Sequence, residues 1–238
     1  MDFSQLRIKI FADGADLASI TKLAQNPLIK GFTTNPTLMR KAGISDYTGF
    51  AQAVLRLITD RPISFEVFSD EFEDMERQAL IINSWAENVY VKIPITNTRA
   101  ESAVPLIHKL SQQGLKLNIT AMTTLDQVKA VGEAVRGGAP SFISVFAGRI
   151  ADTGCDPLPM MSESLHILKS SPGAELLWAS PRELLNIVQA DAIGCPIITV
   201  THDLLAKLGT LGKDLEAFSL DTVKMFYQDA QAAGFHIG

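Results

Sequence analysis

The chain has 238 residues, 47% of them hydrophobic and 20% charged, and a net charge of −5, a balance that excludes a disordered or fibrous protein. No apolar run reaches the ~18 residues of a membrane span, no block of like charge offers a surface to nucleic acid or anionic lipid, and Cys155 and Cys195 are too few for a disulfide framework or zinc cluster. With no basic segment ahead of a long apolar stretch at the N-terminus, the expectation is a soluble protein of the reducing cytoplasm, with neither nucleic acid nor membrane as partner.

Short β-branched or aromatic runs alternate with helical segments along the chain. In order, the predicted strand and helix pairs are Arg7–Ala12 with Asp16–Gln25, Ile29–Thr33 with Asp46–Ile58, and Ile63–Phe68 with Asp70–Trp85. They continue as Val89–Ile93 with Thr98–Gln113, Leu115–Thr120 with Thr124–Arg136, and Ser141–Phe146 with Pro159–Lys169. The last are Leu176–Ala179 with Pro181–Ala190 and Ile197–Val200 with Leu204–Leu208, followed by a final helix near Leu220–Ala233. Strands of this length separated by helices are parallel βαβ units. Eight of them at about 30 residues each fit a (β/α)8 barrel of the α/β class. A doubly wound sheet is disfavoured, since no G-x-G-x-x-G turn follows the first strand. Turn dipeptides fall between the periodic segments and none reads as a linker, so the chain is expected to be one domain, 1–238.

Barrel strands are buried on both faces, so an ionisable or polar residue inside one needs a reason. Here such residues gather at the C-terminal strand ends, where barrel enzymes carry their sites. Asp13 ends the first strand and reads either as a helix cap or as an acid/base. Asn35, before Pro36, reads first as a turn residue. Glu66 lies among Phe65, Val67 and Phe68 and needs a cationic partner, for which Lys92 on the next strand is the candidate. Lys92 itself, in Val89-Tyr90-Val91-Lys92-Ile93, is either a nucleophile made neutral by desolvation or a side chain snorkelling past the strand end. Asn118 and Thr120 share one strand face, as do Ser144 and Phe146. Arg149, Ser180 and Arg182 follow the sixth and seventh strands, where barrels often bind phosphate.

Taken together these segments closely resemble the transaldolases, in the small subgroup that includes fructose-6-phosphate aldolases. The likeness runs through Phe11-Ala12-Asp13, Gly31-Phe32-Thr33-Thr34-Asn35-Pro36-Thr37, Val91-Lys92-Ile93-Pro94, Leu117-Asn118-Ile119-Thr120, Phe146-Ala147-Gly148-Arg149-Ile150 and Ala179-Ser180-Pro181-Arg182. It implies a class I mechanism without metal or cofactor, in which Lys92 forms a Schiff base with a sugar phosphate and Asp13 is the acid/base of carbon–carbon cleavage. Glu66 and Thr120 would hold the water that relays protons. Asn35, Asn118 and Ser144 would position the dihydroxyacetone unit, Phe146 would line the pocket, and Arg149, Ser180 and Arg182 would bind phosphate.

Members that transfer dihydroxyacetone carry glutamate and phenylalanine where the aldolases carry glutamine and tyrosine, so Glu66 and Phe146 imply a transaldolase of the pentose phosphate type. One alternative releases free dihydroxyacetone or acts on a specialised sugar; another, a non-catalytic sugar-phosphate binding barrel, is disfavoured because Lys92, Asp13, Glu66 and Thr120 are all present. Pro181 and Glu183 depart from the family pattern, removing an amide donor and adding a negative charge beside the expected phosphate loop. The resemblance also implies a homo-oligomeric ring, a pentamer or decamer, with the last helix packing on a neighbouring chain.

Overall fold

A computed structural model describes residues 6–237. Eight strands, β1 (Lys9–Asp13), β2 (Ile29–Thr33), β3 (Ile63–Glu66), β4 (Val89–Pro94), β5 (Leu117–Met122), β6 (Ser141–Val145), β7 (Ala174–Trp178) and β8 (Ile197–Thr201), pair in sequence order and all in parallel. β8 closes on β1 with Lys9 opposite Ile197 and Asp13 opposite Thr201, so no strand edge is left unpaired. The architecture is a (β/α)8 TIM barrel.

Alternation along each strand sorts residues between two cores. On β4, Val89, Val91 and Ile93 are buried outward against the helices, whereas Tyr90 and Lys92 point into the barrel. On β5, Leu117 and Ile119 face outward and Asn118 and Thr120 inward. Each fully buried aliphatic side chain contributes about 1.5–3 kcal/mol, which makes the outward layer the main source of cohesion. The lower barrel interior is filled by Phe11, Phe142, Leu177 and Ile197 with Tyr90 packed against them. Tyr90 stacks on Phe142 at 3.9 Å, and Phe11 meets Phe142 edge-on at 5.4 Å. Gly31 makes room for this plug, since a Cβ there would lie 2.6 Å from the Phe11 ring. The barrel is therefore closed below and hollow only above.

The surrounding helices are α1 (Leu17–Ala24), α2 (Pro36–Lys41), α3 (Tyr47–Leu57), α4 (Phe72–Asn83), α5 (Val104–Gln112), α6 (Leu125–Ala134), α7 (Ala147–Asp152), α8 (Leu158–Leu168), α9 (Leu185–Ala192), α10 (His202–Leu205) and α11 (Leu215–Ala232). Two were not expected. α2 begins at the Asn35-Pro36 pair read as a turn: Asn35 accepts from the Leu38 amide at 2.9 Å and Pro36 enters the first turn, which together start a helix. α7 spans only six residues, too short for a periodicity signal.

Other boundaries move for local reasons. The helix expected from Thr98 starts at Val104, because Pro105 has no amide to give a helix interior. Residues 98–103 instead form a turn in which Arg99 pairs with Glu71, Glu101 and Asp70. The segment expected to be helical from Pro181 becomes α9 only at Leu185, and the last helix begins at Leu215, capped by Asp214, rather than near Leu220. No residue of α11 is buried.

Candidate active site

The open upper end of the barrel holds a cavity of about 420 Å3. Asp13, Asn35, Glu66, Lys92, Asn118, Thr120, Ser144, Phe146, Arg149, Ser180 and Arg182, the residues singled out in the sequence, all line it. They come from seven strand ends, and the all-parallel arrangement brings them to one end of the barrel.

At the centre is Lys92, 7% exposed. Register places it opposite Glu66 on β3 and Asn118 on β5. Its Nζ lies 3.3 Å from Glu66 Oε2 and donates to the Thr34 carbonyl at 3.0 Å. The lysine thus ends inside the cavity and does not snorkel to solvent. Glu66 is steadied from behind, where the Tyr47 hydroxyl donates to its carbonyl at 2.9 Å. Burial raises the Tyr47 phenol above its ordinary range, so that hydroxyl keeps its proton.

Asp13 lies across the cavity. The cap of α1 is Asp16, which accepts from the Ser19 amide at 2.8 Å, so the capping role considered for Asp13 belongs to its neighbour. Thr33 Oγ1 donates to Asp13 Oδ1 at 2.7 Å, and Asn35 Nδ2 approaches Oδ2 at 3.4 Å. Enclosure raises the carboxyl above its ordinary range, against the opposing pull of the Lys92 ammonium, the Thr33 hydroxyl, His202 and Asn35. A carboxylate raised in this way both accepts and returns a proton more readily near neutral pH.

On β5, opposite Lys92 in register, Asn118 is fixed at both ends. Its amide donates to Ser64 Oγ at 2.9 Å, and its carbonyl oxygen accepts from Ser144 Oγ at 2.6 Å. Thr120 Oγ1 is buried beside them with no protein hydrogen-bond partner. A buried hydroxyl left unpaired inside a cavity is available to a small polar molecule.

The rim carries the basic groups. The Arg149 guanidinium sits 5.7 Å from the Phe146 ring centroid, a cation–π contact that orients it. Phe146 lies just past β6, at the N-cap of α7. Arg182 points Nε at Asp152 Oδ1, 2.9 Å away, and Nη2 at Oδ2, so part of its fork is already engaged. Ser180 adopts φ +61°, which turns the chain over α7. Gly148 permits this crossing, since a Cβ there would lie 1.5 Å from the Ser180 carbonyl oxygen.

The cavity also contains Thr33, Ala121, Thr199 and Thr201, to which sequence reading assigned no role. The signal was present in β8, where Thr199 and Thr201 interrupt an apolar strand at a spacing of two. Among the described residues no three His, Cys, Asp or Glu side chains form a metal-ligating group, and no helix is long and apolar enough to cross a membrane.

A family model described as transaldolase/fructose-6-phosphate aldolase matches residues 10–237. A protein of Dehalococcoides mccartyi named "probable transaldolase" is 35% identical over 202 residues, covering 84% of this chain and 90% of that one. One of Listeria monocytogenes named "probable transaldolase 2" is 33% identical over 225 residues, covering 89% and 98%. Among solved structures, KGPDC from Streptococcus mutans aligns with a TM-score of 0.54 at 10% identity over 84% of this chain and 89% of that one, a likeness of fold alone.

Proposed function

The chain belongs to the transaldolase/fructose-6-phosphate aldolase family, and from that premise we propose that its cavity moves a dihydroxyacetone unit between sugar phosphates through a Schiff base on Lys92. The protein is an enzyme of the transaldolase type. The observation that carries the mechanism is a buried lysine ending in a cavity between two carboxylates, Glu66 on its own side and Asp13 opposite.

Lys92 Nζ attacks the ketone carbon of the donor sugar, and loss of water leaves an iminium. Glu66 and Thr120 hold the water that carries protons in this step and in its reversal. Asp13 Oδ2 then takes the proton from the donor's C4 hydroxyl. The C3–C4 bond breaks, its electron pair moves into the iminium to give an enamine, and the aldose phosphate leaves. The cationic nitrogen stabilises the developing carbanion, as electrostatic catalysis requires. An acceptor aldehyde enters, and the same steps run backward with Asp13 returning its proton.

Asn118, fixed by Ser64 and Ser144, offers a rigid polar surface to the three-carbon unit. Asn35 contributes its amide, because its carbonyl oxygen is committed to capping α2. Phe146 covers the pocket wall. Arg149, Ser180 and Arg182, which line the same cavity as Lys92, bind the phosphate. Pro181 lies on the rim, and neither it nor Glu183 enters the Schiff-base chemistry. We place this reaction in the cytoplasmic pentose phosphate pathway, carried out by a homo-oligomeric ring. The unburied α11, with Phe226 and Tyr227 turned outward, supports such an assembly.

Borohydride reduction with fructose 6-phosphate tests the nucleophile, and mass spectrometry finding no adduct at Lys92 would sink the mechanism. Rates with and without an added aldose-phosphate acceptor test transfer. The expected result is slow turnover that the acceptor accelerates; equally fast cleavage without it would favour release of free dihydroxyacetone.

A further inference from the structure

β1 lies between β2 and β8, and both neighbours send threonines into the barrel near Asp13, Thr33 from β2 and Thr199 and Thr201 from β8. Thr33 stands opposite Asp13 in register, and Thr199 stands opposite Phe11, two residues before the pairing of Thr201 with Asp13. The Thr33 and Thr199 hydroxyls meet at 2.5 Å, and Thr33 is 2.7 Å from Asp13 Oδ1. Both threonines are buried, at 2% and 6% exposure.

Each hydroxyl has one hydrogen to give. An ionised Asp13 has none, so the Thr33 hydrogen goes to Oδ1, and the contact between the threonines is Thr199 donating to Thr33. The chain therefore runs Thr199 to Thr33 to Asp13. Donation into Thr33 polarises its own O–H and holds that rotor on the carboxylate. With Oδ1 occupied, Oδ2 is left to face the cavity, where only the long Asn35 contact competes for it.

We propose that Thr199 is a positioning residue for proton transfer at Asp13, acting through Thr33 and not through substrate. This rests on the assignment of Asp13 as the acid/base. The groups that bear on Asp13 are Lys92 from β4, Thr33 from β2, Asn35 ahead of α2 and His202 at the start of α10. Of these only Thr33 is itself oriented by a further buried hydroxyl. Removing that hydroxyl frees the Thr33 rotor, which slows cleavage and leaves attack by Lys92 untouched.

The test compares Thr199→Val, which nearly keeps the shape, Thr199→Ala and Thr199→Ser. Val and Ala are expected to lower kcat for transfer on the order of tenfold, the scale of a misaligned proton transfer, with KM for fructose 6-phosphate unchanged. Borohydride trapping of dihydroxyacetone, which needs no carbon–carbon cleavage, is expected to proceed at the wild-type rate, and Thr199→Ser to recover most of the lost kcat. Wild-type kcat in both Val and Ala, or trapping slowed in parallel with kcat, overturns the proposal. No trapping by the unaltered enzyme overturns the Schiff-base reading itself, a separate outcome.

Discussion

Glu66 and Lys92 are register partners on adjacent strands whose side chains meet at 3.3 Å in the wall of the cavity. Both are largely withdrawn from solvent, so each depends on the other for charge compensation. Glu66→Gln keeps the shape, removes the charge and leaves the ammonium facing a neutral partner. The expected cost is about 1–3 kcal/mol, read from the urea midpoint. Adding Lys92→Met, which makes the pair neutral, should recover part of it. A wild-type midpoint in the single variant would mean that the pair contributes nothing to the fold.

Asp13 links stability to pH in the opposite direction from a paired surface carboxylate. Its folded-state pKa is raised by burial, so folding favours the protonated form and stability falls as pH rises through that raised value. Asp13→Asn removes the charge. At pH 7–8 it should raise the melting temperature while abolishing transfer, and the gain should shrink as pH falls through the raised value and vanish once pH drops below the ordinary carboxylate pKa. A stability difference that grows toward low pH would reverse the assignment.

Gly148 is the one position where α7 admits the Ser180 carbonyl. Gly148→Ala forces the two segments apart at a place where Ser180 already holds a left-handed backbone. Destabilisation of about 2 kcal/mol or more is expected from such overpacking. Because the displaced loop carries Ser180 and Arg182, KM for phosphorylated substrates should rise with it. Unchanged denaturation and KM would mean that the crossing relaxes freely.

Arg182 is shared between Asp152 and the cavity. Arg182→Ala should raise KM for phosphorylated substrates by about ten- to hundredfold, the worth of a charge-assisted hydrogen bond, and KM for dihydroxyacetone far less. An equal effect on both would remove the phosphate role.

Along α11, Phe226 and Tyr227 are 63% and 67% exposed. Phe226→Asp should lower the assembly mass measured by light scattering without loss of the barrel's circular dichroism. An unaltered mass would place the contact between chains elsewhere.

The sequence by itself determined the barrel and most of the cavity wall. Eight strand–helix steps of constant length, with no G-x-G-x-x-G turn, favour the closed barrel over a doubly wound sheet, and the strand period of two sends Lys92, Asn118 and Thr120 inward once Val91, Ile93 and Ile119 are assigned outward. Charged residues inside such strands cannot be left in apolar surroundings, which is why Glu66 pointed to Lys92 before any distance was known. Tertiary structure decided what depends on contacts distant in sequence. Asp16 takes the cap and leaves Asp13 to the cavity, Asn35 divides its amide between α2 and Asp13, Asp152 engages Arg182, and Thr33 and Thr199, 166 residues apart, meet beside one carboxylate. Local periodicity fixes which face a side chain takes; which partner it finds there is fixed only when the closing of β8 on β1 brings the two ends of the barrel together.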